Sequence, residues 1–422
     1  MNISTFRAFR NRNYRLYFGG QSISLIGTWM QRTAVYWVIY TETHSALMLG
    51  LAVFAAQFPS FLFSPLGGIV SDRYNRYRIM LITQLSSLVQ AVLLVVLVMF
   101  TQYALWEIFV LSFLLGTINA FDVPARQSMV NEIIDHKEDL PNAIALNSSM
   151  VNIARLIGPA MSGIILEKMG AGTCFIINAV SFIAVISCLF LMRLPKHIHH
   201  PHTKNVLFEF QEGWEYLKRT PSIGLVILLL ACISLTVLPF TTLLPVFAKV
   251  IFKGNAATFG YLNSAIGLGA VGGTFFLASL KAGIDLKKIL FINLLILGAG
   301  LILFSHIINL PLALFFAMLT GFGMMSQTTI SNTIIQTSVS HEMRGRVISY
   351  FAMAYFGMLP IGGLLIGIIS QYIGAPNTIL IEGFVAVIIA VLFLPFLRKD
   401  ILKEKDKLKL IELEDPALNI NQ

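Results

Sequence analysis

Charge is scarce in this 422-residue chain: Asp, Glu, Lys and Arg make up only 12% of it, against ~25% in soluble domains. A chain of this length with so little charge cannot present a water-facing surface, which excludes an ordinary soluble fold. Cysteine is scarcer still. Cys174, Cys188 and Cys232 all fall inside apolar stretches, so they form no disulfide or metal framework and read as small packing residues. No glycine-rich loop closes on Lys-Ser/Thr, so the chain supplies no ATPase of that type. No nucleophile–base arrangement stands out either. An enzyme is not expected, and neither a metal nor any other cofactor is implied. The N-terminus lacks a cleavage-type pattern, because the basic stretch from Arg7 to Arg15 runs straight into an apolar segment too long for a signal peptide.

What is abundant is apolar surface: 56% of residues are hydrophobic and the mean hydropathy is +0.77. Twelve apolar segments reach the ~20 residues that one helical crossing of a bilayer requires. They lie near 14–40, 46–70, 78–100, 103–125, 141–167, 171–193, 221–248, 256–280, 286–306, 310–334, 344–372 and 375–397. The expected fold is therefore an all-α polytopic membrane protein with twelve transmembrane helices. With the N-terminus inside, 25 of the 30 Lys and Arg residues fall on the cytoplasmic side. The outer loops hold only Lys168, Lys249 and Lys253, while Arg32 and Arg155 lie within the membrane. This bias places both termini in the cytoplasm and accounts for the +9 net charge without a nucleic-acid partner. The bilayer itself is the expected surrounding.

Residues 194–220 interrupt the pattern with Pro195, Pro201, the cluster His197, His199, His200 and His202, and a short amphipathic stretch from Phe208 to Leu217. The histidines read as part of a hydrophilic linker rather than a metal site. Six apolar segments precede the linker and six follow. A weak repeat at an offset of 204 pairs Gly158 with Gly362, Gly163 with Gly367, and Gly170-Ala171 with Gly374-Ala375. The predicted organisation is an N-terminal six-helix half (1–193), a cytoplasmic central loop (194–220), a C-terminal six-helix half (221–397) and a cytoplasmic tail (398–422). Duplicated helix sets with a site between them, at mid-membrane, are common in secondary transporters. The tail, with charges alternating at helical spacing, is expected to lie solvated or along lipid headgroups.

Ionisable residues inside a membrane are costly and point to function. Gln21, Ser24, Thr28, Arg32 and Tyr36 recur at spacings of three and four, giving one polar stripe on the first helix. Ser148, Asn152, Arg155 and Ser162 do so on the fifth. Asn119, Asp122 and Arg126 lie near the cytoplasmic end of the fourth, and Gln327, Ser331 and Asn332 on the tenth. Such faces must look inward, at partners or at a water-filled cavity. Arg32 and Arg155, with Gln21, Thr28 and Asn152, are the substrate-binding candidates. A guanidinium suits an anionic or strongly hydrogen-bonding cargo. The alternative is internal pairing, for instance of Arg155 with Asp122, in a packing role. Asp122 is a candidate for proton coupling or for a gate salt bridge. Glu382, on the twelfth segment, is a further possible proton carrier, ranked below these.

Between the second and third segments stands Gly68-Ile69-Val70-Ser71-Asp72-Arg73-Tyr74-Asn75-Arg76-Tyr77-Arg78, a tight basic turn in which Asn75 is expected in a left-handed conformation. It resembles the loop 2–3 signature of the major facilitator superfamily, with Asn75 and Tyr77 as departures. Ala154-Arg155-Leu156-Ile157-Gly158-Pro159-Ala160-Met161-Ser162-Gly163 is similar to the antiporter motif of its exporter branches, Ala154 and Ser162 replacing glycines. Asn11-Arg12-Asn13-Tyr14-Arg15, Gly27-Thr28-Trp29-Met30-Gln31-Arg32, Asp122-Val123-Pro124-Ala125-Arg126-Gln127 and Arg344-Gly345-Arg346-Val347 resemble the branch that contains the bacterial enterobactin exporter and macrolide pumps. The resemblance implies two pseudo-symmetric six-helix halves with a cavity lined by helices 1, 4, 7 and 10, and a peripheral helix 12. It implies gating roles for Asp72 and Arg73, with Arg76, Asp122 and Arg126 in the same charge system, and a kinked, tightly packed fifth helix built on Gly158, Pro159 and Gly163. It also implies a monomeric exporter of a small organic molecule in a bacterial inner membrane, exchanging cargo for protons. An anionic siderophore is the leading cargo, and a drug or macrolide the alternative.

Overall fold

A computed structural model describes residues 3–134, 136–193, 206–280, 284–340 and 342–414. It is all-helical. The first group is α1 (Arg12–Thr43), α2 (Ala46–Arg73), α3 (Arg76–Phe100), α4 (Leu105–Ile133) and α5 (Leu140–Leu191), preceded by the 3-10 helix Ile3–Arg10. Then come α6 (Val206–Arg219), α7 (Pro221–Thr236), the single turn α8 (Leu244–Val246), α9 (Ala256–Ala278), α10 (Leu286–Ser305), α11 (Leu310–Ser338), α12 (Arg344–Ala352), α13 (Met358–Ile373) and α14 (Ala375–Glu414). The histidine cluster at 197–202 lies outside the described residues.

Among the described residues, ten helical stretches are long and apolar enough to cross a membrane. The 32-residue α1 is not among them; it carries Arg32 and its polar stripe. Lys137–Leu191 counts as one stretch, although the chain turns back within it at Gly170 (φ 81, ψ 173). That φ is readily accessible only to glycine. The arms on either side run together, with Cys174 Sγ 4.0 Å from the Ser162 carbonyl.

Short polar caps punctuate the helices. Asn11, Ser45, Asn75, Asn255 and Asn309 each accept a hydrogen bond from the backbone N–H three residues on, at 3.1–3.4 Å, satisfying one of the amides that a helix start leaves free. The turn at Asn75 differs from expectation: its φ is −63°, so it serves as the N-cap of α3 and not as a left-handed residue. Among the described residues, φ is positive at His44 and Lys253 (50° and 49°) and at Gly170 and Gly374 (both 81°).

Asn13 Nδ2 donates to the Arg193 carbonyl at 2.8 Å, and the Ala8 amide donates to Asn142 Oδ1 at 3.0 Å. The start of α1 and both ends of α5 therefore share one face, called here the terminal face. Helices α1–α5 pack among themselves through α1 on α5 and α2 on α4, and α9–α11 and α14 form a second core around α10. The two sets meet away from the terminal face. A Cβ on Gly50 of α2 would lie 2.7 Å from the Gly363 carbonyl of α13, and one on Gly163 of α5 would lie 2.9 Å from Gly260 Cα of α9. Without a hydrophobic drive between helices in lipid, such small-residue contacts let dispersion hold backbones together. Past Thr236 the helix breaks at Val237 (φ −125, ψ −49) and continues as 3-10 and π turns; Pro239 and Pro245 remove backbone donors there. A second π turn, Met353–Gly357, separates α12 from α13.

Candidate functional site

The two intramembrane arginines meet at one aromatic ring. Arg32 reaches from α1 and Arg155 from the first arm of α5, and their guanidinium carbons lie 4.8 and 5.2 Å from the centre of the Trp29 ring. Two features of the sequence produce this. Trp29 and Arg32 are three apart on α1, hence on one face. Gly158 lets α5 come so close that a Cβ there would lie 2.6 Å from Trp29 Cβ. The Trp29 quadrupole attracts both cations, worth roughly 0.5–2 kcal/mol each. Neither arginine has an ion-pair partner among the described residues, and Arg155 Nε is buried without a hydrogen-bond acceptor. Two half-buried positive charges thus converge with free donor capacity, next to Leu156, whose Cα would touch a Cβ on Gly267 of α9 at 3.2 Å.

The expected stripe on α1 divides. Thr28, Arg32 and Tyr36 are half-buried, whereas Gln21 and Ser24 are buried. Gln21 Nε2 has no partner, and Ser24 Oγ lies 3.5 Å from Gln84 Oε1. Thr28 hydrogen-bonds the Ser24 carbonyl one turn back at 2.8 Å. Asn152 is half-buried one turn below Arg155. On α11, Gln327 and Ser331 are buried, with no partner for the Gln327 amide or the Ser331 hydroxyl.

Asp122 does not pair with Arg155. Its Oδ1 accepts from Thr83 Oγ1 at 2.9 Å and from Gln84 Nε2 at 2.8 Å, and its Oδ2 lies 3.5 Å from Arg126 Nε. Tyr17 Oη donates to the Arg126 carbonyl at 3.2 Å, so this hub ties α1, α3 and α4. A second buried network was not visible in the sequence. Gln31 Nε2 donates to Gln90 Oε1 at 3.1 Å, Asn178 Nδ2 donates to Gln31 Oε1 at 2.7 Å, and Gln90 Nε2 donates to the Leu111 carbonyl at 3.1 Å. Three amides from separate helices can be joined only once packing is known.

On the terminal face, Arg76 is the centre of the loop 2–3 charges. It pairs with Glu132 of α4 at 2.6 Å and with Asp72 at 3.6 Å, while Arg73 is exposed. Glu132 was missed because its sequence neighbours carry no motif. Beyond the break, Arg346 of α12 pairs with Glu212 of α6 at 2.7 Å, and Tyr350 Oη donates to the Phe210 carbonyl at 2.9 Å. Gly158 and Gly163 serve different neighbours, α1 and α9. The helix runs on through Pro159, whose carbonyl would lie 2.9 Å from a Cβ on Gly260.

Long apolar helices in close-packed contact, with mid-helix arginines that have no ion pair among the described residues, fit a helical membrane transporter. The chain belongs to the transmembrane secretion effector family of the major facilitator superfamily, whose model matches residues 3–421. It is 28% identical over 389 residues to the staphyloferrin A transporter of Staphylococcus aureus, covering 90% of this chain and 95% of that one. It is 25% identical to the enterobactin exporter of Salmonella typhi (90% and 91% covered) and 22% identical to macrolide efflux protein A of Streptococcus pyogenes (90% and 95%). Its fold is similar to a POT family transporter (TM-score 0.74, 13% identity, 92% and 96% covered) and to a bacterial homologue of the lysosomal transporter Spinster (TM-score 0.70, 15% identity, 91% and 98%). The protein is a transporter and not an enzyme.

Proposed function

We propose that this chain is a secondary active exporter that exchanges an anionic siderophore for protons across a bacterial cytoplasmic membrane. The observation that carries the reading is the pair Arg32–Arg155 on Trp29. Cations half-withdrawn from water and left without carboxylates gain most from a ligand bringing its own negative oxygens. The siderophore transporters among the relatives agree with that chemistry.

The accompanying topology is twelve crossings, with α1 and the two arms of α5 supplying those beyond single straight spans. They form two six-helix halves, 1–193 and 221–397, joined by the loop 194–220 and followed by the tail 398–422. Gly170 and Gly374, 204 residues apart and both at φ 81°, support the duplication. Lys and Arg bias sets both termini in the cytoplasm. The halves touch through α2–α13 and α5–α9 away from the terminal face, while the Arg76 ion pairs stay within the first half and Arg346 reaches Glu212 of the connecting segment. We read this as the inward-open state, in which cargo enters from the cytoplasm. Asp72, Arg73, Arg76, Asp122 and Arg126 belong to the gate that closes it, and the protein works as a monomer.

The second reading, macrolide or drug efflux, rests on the aromatic row Phe54, Phe58 and Phe61 of α2. Phe54 and Phe58 stack at 4.5 Å, and Phe61 meets Gly357 in the π turn. Metabolite profiling of a deletion strain under low iron separates the two. Retention of an iron chelator inside the cells, reversed by a restored copy, is the expected result. Unchanged medium with new macrolide sensitivity transfers the cargo to the second reading.

A further inference from the structure

Glu382 is the single acidic or basic residue in the apolar stretch Ala375–Pro395 of α14. Sequence reasoning ranked it low because it lies on a peripheral helix. The structure buries it to 3% exposure and leaves both carboxylate oxygens without a hydrogen-bond partner. It falls on the inward stripe of α14 with Thr378, Ile379 and Ala386, while Ile381, Phe384 and Ile388 face outward. The adjacent Gly383 lies at the crossing. A Cβ there would lie 2.7 Å from Ile302 Cγ1 and 2.9 Å from the Gly298 carbonyl, so α14 and α10 cross in close contact beside Glu382.

No ion pair compensates it among the described residues. The elements most closely packed against α14 are α7, α10, α13 and the 3-10 helix Leu238–Leu243. Their titratable groups are Cys232 on α7, Lys287 and Lys288 in the first turn of α10, and Tyr372 at the end of α13. Lys287 is eleven residues from Gly298, about 16 Å along the axis, and Tyr372 is 85% exposed. Ser234 of α7 is likewise buried with its hydroxyl unpartnered. The first half solves the same position differently. Asn178, 204 residues earlier, is a neutral amide whose Nδ2 donates to Gln31 and whose Oδ1 accepts from Ser181 at 3.1 Å. An unpaired carboxylate in such a place is far costlier than the neutral acid.

We propose that Glu382 is a proton-binding site of this transporter, holding its proton in the state described here and releasing it in another state of the transport cycle. This rests on the proton-antiport reading for its role and on burial for its protonation. In the release step the carboxyl O–H bond breaks and the proton passes to water, leaving a hydrated carboxylate. Hydronium from the other side of the membrane restores the acid.

The test uses the full chain in lipid vesicles, with Glu382→Gln, Glu382→Asn and Glu382→Asp variants. Infrared spectra at neutral pH are expected to show the carbonyl band of a protonated acid in the wild type and in Glu382→Asp, and to lose it in the two amides. Flux of staphyloferrin A, and in parallel of a macrolide, driven by an imposed pH gradient is expected to be lost in the amides. Gradient-free exchange persists in them, because they mimic the neutral acid. Wild-type pH-driven flux in the amide variants that still exchange overturns the proposal. If the wild type itself shows no pH-driven flux with either probe, the antiport reading falls. The proton site is then judged by the infrared band alone, and a spectrum unchanged by the amides overturns it.

Discussion

Replacing Asp122 by Asn tests whether the hub between α1, α3 and α4 depends on its charge. The carboxylate accepts two hydrogen bonds, from Thr83 and Gln84, and faces Arg126, with side chains 8% and 14% exposed for Asp122 and Arg126. Asn keeps the shape and one acceptor oxygen. Two bonds of the charged class, about 1.5–3 kcal/mol each, then fall to the neutral class of about 0.5–1.5, a loss of about 2 kcal/mol. Stranding the Arg126 guanidinium adds about 1 more, giving about 3 kcal/mol, the low end for breaking a buried pair. In reversible unfolding in mixed micelles this is a shift of about 150-fold in the folding equilibrium. Arg126→Gln alone should cost a similar amount by leaving Asp122 uncompensated. The double variant removes both charges and should cost about 3–4 kcal/mol, well short of the sum. Additivity within about 0.5 kcal/mol would refute the claim that these charges are coupled.

Trp29→Ala removes the ring shared by Arg32 and Arg155 and should weaken binding of the transported probe by about 2 kcal/mol, roughly 30-fold. Trp29→Phe should lose less; unchanged affinity in a calorimetric titration of Trp29→Ala takes Trp29 out of the site. Gly163→Val puts a branched side chain where a Cβ already meets Gly260 Cα at 2.9 Å. It should cost about 1–3 kcal/mol and stall flux, whereas Gly68→Ala, with nothing within 4 Å of its Cβ, should leave both unchanged. Tyr350→Phe deletes the bond to the Phe210 carbonyl and should speed hydrogen exchange across residues 210–219 by an opening cost lowered about 1 kcal/mol; unaltered exchange would mean that α6 is held by Arg346–Glu212 alone.

Composition and period were enough for the all-helical membrane class, the approximate spans and the turns between them, because lipid forces every crossing segment to be apolar and internally hydrogen-bonded. The polar stripes on α1 and α5 were legible for the same reason: a costly residue in an apolar helix stands out one helix at a time. Which stripe residue meets which neighbour was not legible. Gln31, Gln90 and Asn178 come from three helices, Glu132 joins Arg76 across 56 residues, and Arg32 meets Arg155 only because Gly158 admits the Trp29 ring. The resemblance makes helix 12 peripheral, and the face of α14 that carries Glu382 is set by the Gly298–Gly383 crossing. The local chain determined where helices begin, end and resist lipid. Close packing between distant segments decided which charges are paired and which are left without partners.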